Sequence, residues 1–313
     1  MAVLSTWDTG TSSGLISIGT HSLYLTAAGP CRETVSGRLQ PAVIIEAGLG
    51  SGHLEWVAVS RLISERARVY TYDRAGYGRS QPSPVKELNA QNRVNELHQL
   101  LGMAGIDPPY VLVGHSYGGT LVREFLRQHR EDIVGMVLVD APRTPTPLPP
   151  GFGSLFGDST YGAIVGLNEN HVFSPEEYAA INEDEDRNSA TAEIELSFIP
   201  ESVELVNRAL PEGFQAMGDD RLSVIFANET VDFGKIYGFA VEHGVGTQEA
   251  KDGLAVRLKN MEQGAERDQR MYLGLSSQSR FVYARGKAMT HNMQYVAPEV
   301  IRDEVFWVLG LTE

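Results

Sequence analysis

Tyr110-Val111-Leu112-Val113-Gly114-His115-Ser116-Tyr117-Gly118-Gly119, followed by Leu121-Val122-Arg123-Glu124-Phe125-Leu126, reads as strand, sharp turn and helix. A short apolar run suits a strand covered on both faces, and the residues after it have helical length. Between them a serine carries glycines two positions away on either side. Small neighbours let Ser116 occupy a strained turn that pushes its hydroxyl into a cleft, and the following helix brings its positive end to any oxyanion formed there. The five-residue pattern alone is weak, since Gly10-Thr11-Ser12-Ser13-Gly14 fits it too. No apolar run precedes that copy, so Ser12 reads as loop and Ser116 as the candidate nucleophile.

Outward from this unit the same rhythm repeats. Short apolar runs at 42–46, 69–72, 133–139, 222–227 and 280–284 alternate with stretches of helical length at 54–65, 85–103 and 119–130. A hairpin signal precedes them, with β-like runs at 15–18 and 23–26 around Gly19-Thr20-His21. The pattern predicts an α/β fold, a mostly parallel sheet with helices on both faces. One interval breaks the alternation. It opens with Pro142-Arg143-Thr144-Pro145-Thr146-Pro147-Leu148-Pro149-Pro150 and contains Glu183-Asp184-Glu185-Asp186. Proline at this density stiffens the chain as a hinge or strap, and the acidic run reads as a solvated helix face. Residues 142–219 are therefore expected to form a lid inserted after the sixth strand, with 1–141 and 220–313 forming the core domain.

The chain has 313 residues and 42% hydrophobic content, enough for a substantial core and incompatible with a disordered or collagen-like chain. With 26 Lys and Arg against 40 Asp and Glu, the net charge of -14 argues against nucleic acid or an anionic membrane surface as partner. The solitary Cys31 excludes an intrachain disulfide, the first residues lack the basic start and apolar run of a signal peptide, and no stretch reaches ~18 apolar residues. A soluble, cytoplasmic protein acting on a small molecule is expected, with the oligomeric state open. No P-loop, paired-His helix motif or Cys/His cluster stands in the sequence, so neither a metal nor a cofactor is expected.

A serine hydroxyl needs a base to take its proton. Of eight histidines, His291 alone follows a candidate final strand, at 280–284, and precedes the closing helix from Pro298. An ordinary imidazole, with a pKa of about 6.5, would make activity fall as pH drops through that value. The acid that orients the imidazole is less plain. After the run at 222–227 the chain reads Asn228-Glu229-Thr230-Val231-Asp232, whereas Asp140 stands at the C-terminal end of a strand, where sites in open sheets collect. Asp140 is preferred, with Glu229 and Asp232 in reserve.

The run at 42–46 ends in Ala47-Gly48-Leu49-Gly50-Ser51-Gly52, a turn whose backbone can approach a substrate. The amides of Leu49 and Tyr117 are the expected oxyanion hole. Gly48, His115, Phe152, Phe156 and Met289 complete the expected substrate-binding set. The same turn, with Asp73 at the next strand's end, imitates a dinucleotide-binding loop, but that motif wants Gly or Ala where His53 stands.

With these segments in place the chain resembles the α/β-hydrolase superfamily, and more narrowly its single-domain lipase, esterase and peptidase-like branch. Besides the serine turn, the resemblance rests on Tyr72-Asp73-Arg74-Ala75-Gly76-Tyr77-Gly78-Arg79-Ser80, similar to the turn after the family's fourth strand. It rests also on His291-Asn292-Met293-Gln294 with Pro298, similar to the family's His loop and last helix. It implies the order Ser, acid, His along the chain, and an acid drawn from the sixth strand, here Asp140. Residues Gly286-Lys287-Ala288-Met289-Thr290 depart from the small residues common before the family's His. The implied activity is hydrolysis of an ester, thioester or lactone of a small, moderately apolar molecule through an acyl-enzyme. A lyase or cyclase using the same residues without water is the first alternative, and a hydrolase-derived ligand receptor the second.

Overall fold

The computed structural model describes residues 7–144 and 147–311. Eight strands form one sheet: β1 (Ser12–Ser17), β2 (Ser22–Ala28), β3 (Ala42–Glu46), β4 (Val69–Tyr72), β5 (Tyr110–His115), β6 (Ile133–Val139), β7 (Arg221–Phe226) and β8 (Ser279–Tyr283). Their spatial order is β1-β2-β4-β3-β5-β6-β7-β8. The β1–β2 and β2–β4 pairs are antiparallel and the remaining pairs parallel. Ser12, read from the sequence as loop, opens β1, because Ser12 pairs with Ala27 across the hairpin.

β3, β4 and β5 are buried along their whole length, as continuous apolar runs in a parallel sheet should be. Helices α1 (Val57–Ile63), α2 (Ala90–Ala104) and α3 (Gly118–Gln128) follow β3, β4 and β5. Asn89 caps α2 by accepting from the amide of Asn92, which starts that helix five residues later than its composition suggested. Two apolar layers sandwich the sheet: Val43, Ile45, Val113 and Val137 pack with Trp56 and Ile301 on one side, and Ile44, Leu112 and Leu138 with Leu97 and Phe125 on the other. This is the alternation of Cβ directions along each strand.

The register decides where chemistry can gather. Glu46 of β3 lies level with Gly114 of β5, His115 with Val139 of β6, and Val139 with Ile225 of β7. The turns after these four strands therefore open at one edge of the sheet.

Between β6 and β7 the chain leaves the sheet. It forms single turns at Phe152–Phe156, Tyr161–Val165 and Leu167–Asn170 and then the 35-residue helix α4 (Pro175–Ala209). Ser174 and Glu177 form a capping box at its start, with Pro175 in the first turn. A second excursion, α5 (Thr230–Glu242) and α6 (Gln248–Arg270), separates β7 from β8, and α7 (Pro298–Val308) closes the chain. The acidic run expected to face solvent divides instead. Asp184 is buried, near Gly52, and Asn188, one turn on, donates to the carbonyl of Gly50. Among the described residues no helix is long and apolar enough to cross a membrane.

Candidate active site

Ser116 has φ +52, a left-handed backbone that turns the chain sharply between β5 and α3. Its amide donates to the carbonyl of Val139 at 3.1 Å. The flanking glycines are sterically required: a Cβ at Gly118 would lie 2.3 Å from the carbonyl oxygen of Glu46, and one at Gly114 would lie 2.7 Å from that of Gly118. The turn also presses against the loop after β3, where a Cβ at Gly48 would come 3.3 Å from Cβ of Ser116.

Asp140, the residue after β6, also has positive φ (+39). Its Oδ2 lies 2.8 Å from Nδ1 of His291, while Oδ1 accepts from the amide of Ala227 (3.1 Å) and from Nε2 of Gln269 (3.0 Å). Burial works against its charge, but His291, Gln269 and the Ala227 amide outweigh it and hold the carboxyl below its ordinary value. His291 experiences the converse. Burial disfavours its cation, yet Glu229, Asp140 and Asp232 together raise it to about 9.

The three acids weighed from sequence thus occupy three different positions. Asp140 touches the imidazole. Asp232 holds the loop, its Oδ2 accepting from the His291 amide (2.8 Å), the Thr290 hydroxyl (2.8 Å) and the Tyr161 hydroxyl (3.2 Å). Glu229 lines the cavity and acts on His291 through its charge. His115, completely buried, donates from Nε2 to the His291 carbonyl at 2.8 Å, with ring centroids 4.7 Å apart. Burial and the neighbouring His291 push it down to about 3, so it is neutral and buttresses the loop.

These groups surround a cavity of about 740 Å³, lined by Gly48, Leu49, His115, Ser116, Asp140 and His291 among others. Tyr117 begins the turn into α3 and packs its ring with Leu121, Ile199 and Val203. Phe152, Phe156 and Met289, expected on the substrate wall, are not on it. Phe152 and Phe156 pack edge to face at 5.3 Å, and Phe152 meets Phe233 at 5.8 Å, so these aromatics satisfy each other beneath the excursion. Phe226, at the end of β7, supplies the aromatic surface.

The sequence reading missed the floor and far wall. Asn260, Met261, Asp268 and Gln269 of α6 line the cavity, although 220–313 was expected only as core. Nothing local marks Gln269, because its carboxylate partner is 129 residues away. Glu55 and Glu185 also line the cavity unannounced. Arg74 grips the loop after β3: one guanidinium nitrogen donates to Glu46 and the Ala47 carbonyl, the other to the Gly48 carbonyl and Glu195 of α4. Asp73, the residue that invited a dinucleotide reading, accepts from the amide of His53 (2.8 Å) and that of Arg79 (3.0 Å) and so ties the two turns together. Away from the cavity, ligand-type atoms of His98, His129 and Asp132 lie within 4.8 Å of one another, the two rings stacked at 3.9 Å.

The chain belongs to the α/β-hydrolase superfamily. A family model described as alpha/beta hydrolase fold matches residues 41–191. An AB hydrolase superfamily protein of Gibberella zeae is 30% identical over 311 residues, covering 93% of this chain and 92% of that protein. A Hormonema carpetanum protein named "Probable transporter efuK" is 30% identical over 326 residues; the alignment covers 99% of this chain but spans only 44% of that relative's length. In fold, the chain is similar to the 2-hydroxy-6-oxo-6-phenylhexa-2,4-dienoate hydrolase of Rhodococcus sp. strain RHA1, with a TM-score of 0.62, 13% identity and coverage of 95% and 98% of the two chains.

Proposed function

We propose that this α/β hydrolase is a serine hydrolase that cleaves an ester, thioester or lactone of a small, moderately apolar molecule through an acyl-enzyme. The observation that carries the reading is the 2.8 Å contact between His291 Nδ1 and Asp140 Oδ2 at a cavity that Ser116 also lines. With Nδ1 engaged by the carboxylate, Nε2 is the nitrogen left to accept the serine proton. Ser116 then attacks the acyl carbon, the protonated His291 is stabilised by Asp140, and the amides of Leu49 and Tyr117 receive the oxyanion. His291 passes its proton to the leaving group. Water, activated by the same imidazole, releases the acid and restores the serine. Residues 142–219 act as the lid, and the cavity's apolar lining suits a small organic substrate.

Replacing Ser116 by Ala is expected to abolish labelling by a fluorophosphonate probe, and undiminished labelling would reject Ser116 as nucleophile. The raised pKa of His291, about 9, moves the acid limb of kcat/KM above the ordinary imidazole value. Activity should therefore still be rising between pH 7 and 9; a profile flat from pH 6 to 9 would remove His291 from the base role.

A further inference from the structure

Five carboxyl groups reach the cavity, against the guanidinium of Arg257 and the imidazole of His291. Three of the five are accommodated. Asp140 pairs with His291, Glu229 feels both His291 and Arg257, and Asp268 accepts the amides of Arg143 and Thr144. Glu55, which is buried, and Glu185, which reaches solvent, face no cation among the described contacts. Glu55 lies in the turn after β3, Glu185 on α4, and the helix is held against that turn by Asn188 on the Gly50 carbonyl.

The groups acting most strongly on Glu55 are Glu185, Ser51, Gln294 and Tyr295; those acting on Glu185 are Tyr295, Asp186 and Asp184. None is a cation. Tyr295 donates its hydroxyl to Glu185 at 2.9 Å, and Gln294 reaches Glu55 only at 3.5 Å. Ser51 is buried on the same wall, and its Oγ makes no hydrogen bond of ordinary geometry. The donors that reach the two carboxyls are thus neutral, and no cation faces either of them among the described contacts.

We infer that the wall formed by Glu55, Glu185 and Ser51 binds the ammonium group of an amine-bearing substrate. The inference names the substrate class of the serine hydrolase proposed above and rests on that reading. An ammonium offers three donors and one positive charge, which matches two carboxyls and a hydroxyl. A neutral alcohol supplies one donor and no charge, and a carboxylate meets repulsion. The subsite adjoins the acyl position, since the Gly48–Ser51 turn touches Ser116 at one end and carries Ser51 at the other.

Burial and Glu185 hold the Glu55 carboxyl up at about 8, so it is mostly protonated at pH 7. An arriving ammonium replaces that proton. Groups facing the pair from the other packed elements are Tyr295 and Gln294 of the His loop and Asp184, Asp186 and Tyr178 of α4.

Calorimetry on the Ser116→Ala protein at pH 7 tests the proposal without turnover, with hexylammonium, 1-hexanol and hexanoate as probes. Hexylammonium is expected to bind about tenfold or more tighter than either analogue. It should also expel close to one proton, read from the difference between two buffers of unlike ionisation heat. Glu55→Gln should abolish the proton release, and Glu55→Gln and Glu185→Gln should each weaken binding by about tenfold. Equal binding of the three probes, or unchanged affinity in both variants, overturns the inference. Fluorophosphonate labelling of the unmodified protein reports separately on Ser116. Labelling without hexylammonium preference defeats only the substrate class; hexylammonium preference without labelling keeps the ammonium subsite and defeats only the hydrolase reading.

Discussion

Glu229 is the largest of the charges that lift His291, acting from the cavity wall, while Asp140 holds Nδ1. Glu229→Gln removes that charge, so His291 should lose its proton at lower pH. The acid limb of kcat/KM should move down, and the fraction of plateau activity retained at pH 6.5 should rise several-fold; an unmoved limb would show that Glu229 does not act on the base. The same imidazole has a stability signature. A base whose folded pKa is raised contributes stability fully present below its unfolded value of about 6.5 and lost as pH climbs through about 9. His291→Asn should therefore flatten the decline in Tm across that window. At this scale Ser116 and Asp140 were legible because each directly follows a strand that a run of apolar residues announces, and His291 because it lies in the loop between the last strand and the closing helix. Gln269, Glu55 and Glu185 were not, since their relation to the site is a contact through space with no local spacing to mark it. Phe152 and Phe156 misled for a related reason: hydrophobicity says that a ring will be covered, and these two cover each other.

Glycine at the turn after β5 and glycine in helix α5 obey opposite rules. Gly118→Ala drives a methyl into the Glu46 carbonyl at 2.3 Å, where only backbone movement can relieve it. It should cost several kcal/mol, in the range of about 3 or more expected for strained core changes, and abolish probe labelling of Ser116. Gly234 and Gly238 are exposed on α5, and a Cβ at either meets nothing within 4 Å. Alanine at each should stabilise the protein by about 0.5–1 kcal/mol in urea unfolding, with activity unchanged. Helix α4 shows why its sequence resisted reading. Ile181, Asp184, Asn188, Glu195, Ile199, Ser202, Val203 and Val206 form its buried face, spaced for a helix, but four of the eight are polar. A pattern search that equates inside with apolar reads that face as outside. The central strands had less ambiguity, since their buried runs are mostly apolar.

Across the molecule, one ion cluster joins parts that are distant in sequence. Glu195 of α4 is fully buried between Arg74, after β4, and Arg93 of α2, at 3.0 and 2.6 Å; Arg74 also reaches Glu46 of β3. Removing one partner strands buried charge, so Glu195→Ala should cost about 3–5 kcal/mol, measured by denaturant unfolding. A cost under about 1 kcal/mol would mean that the guanidinium groups find water or new partners. The parallel layering followed from the alternation of runs, but the strand order and the second excursion's share of the cavity did not. The last turn of helix α6 comes beside Asp140 only through the fold, since β7 and α5 lie between them in the chain.

The grip of Arg74 on the Ala47 and Gly48 carbonyls, shared with Glu195, makes the covering helix and the loop proposed to receive the oxyanion a single mechanical part. Lifting that helix would pull on the very loop whose amides are proposed to receive the oxyanion. Molecules that demand a wide opening would then be turned over slowly even when the cavity could hold them.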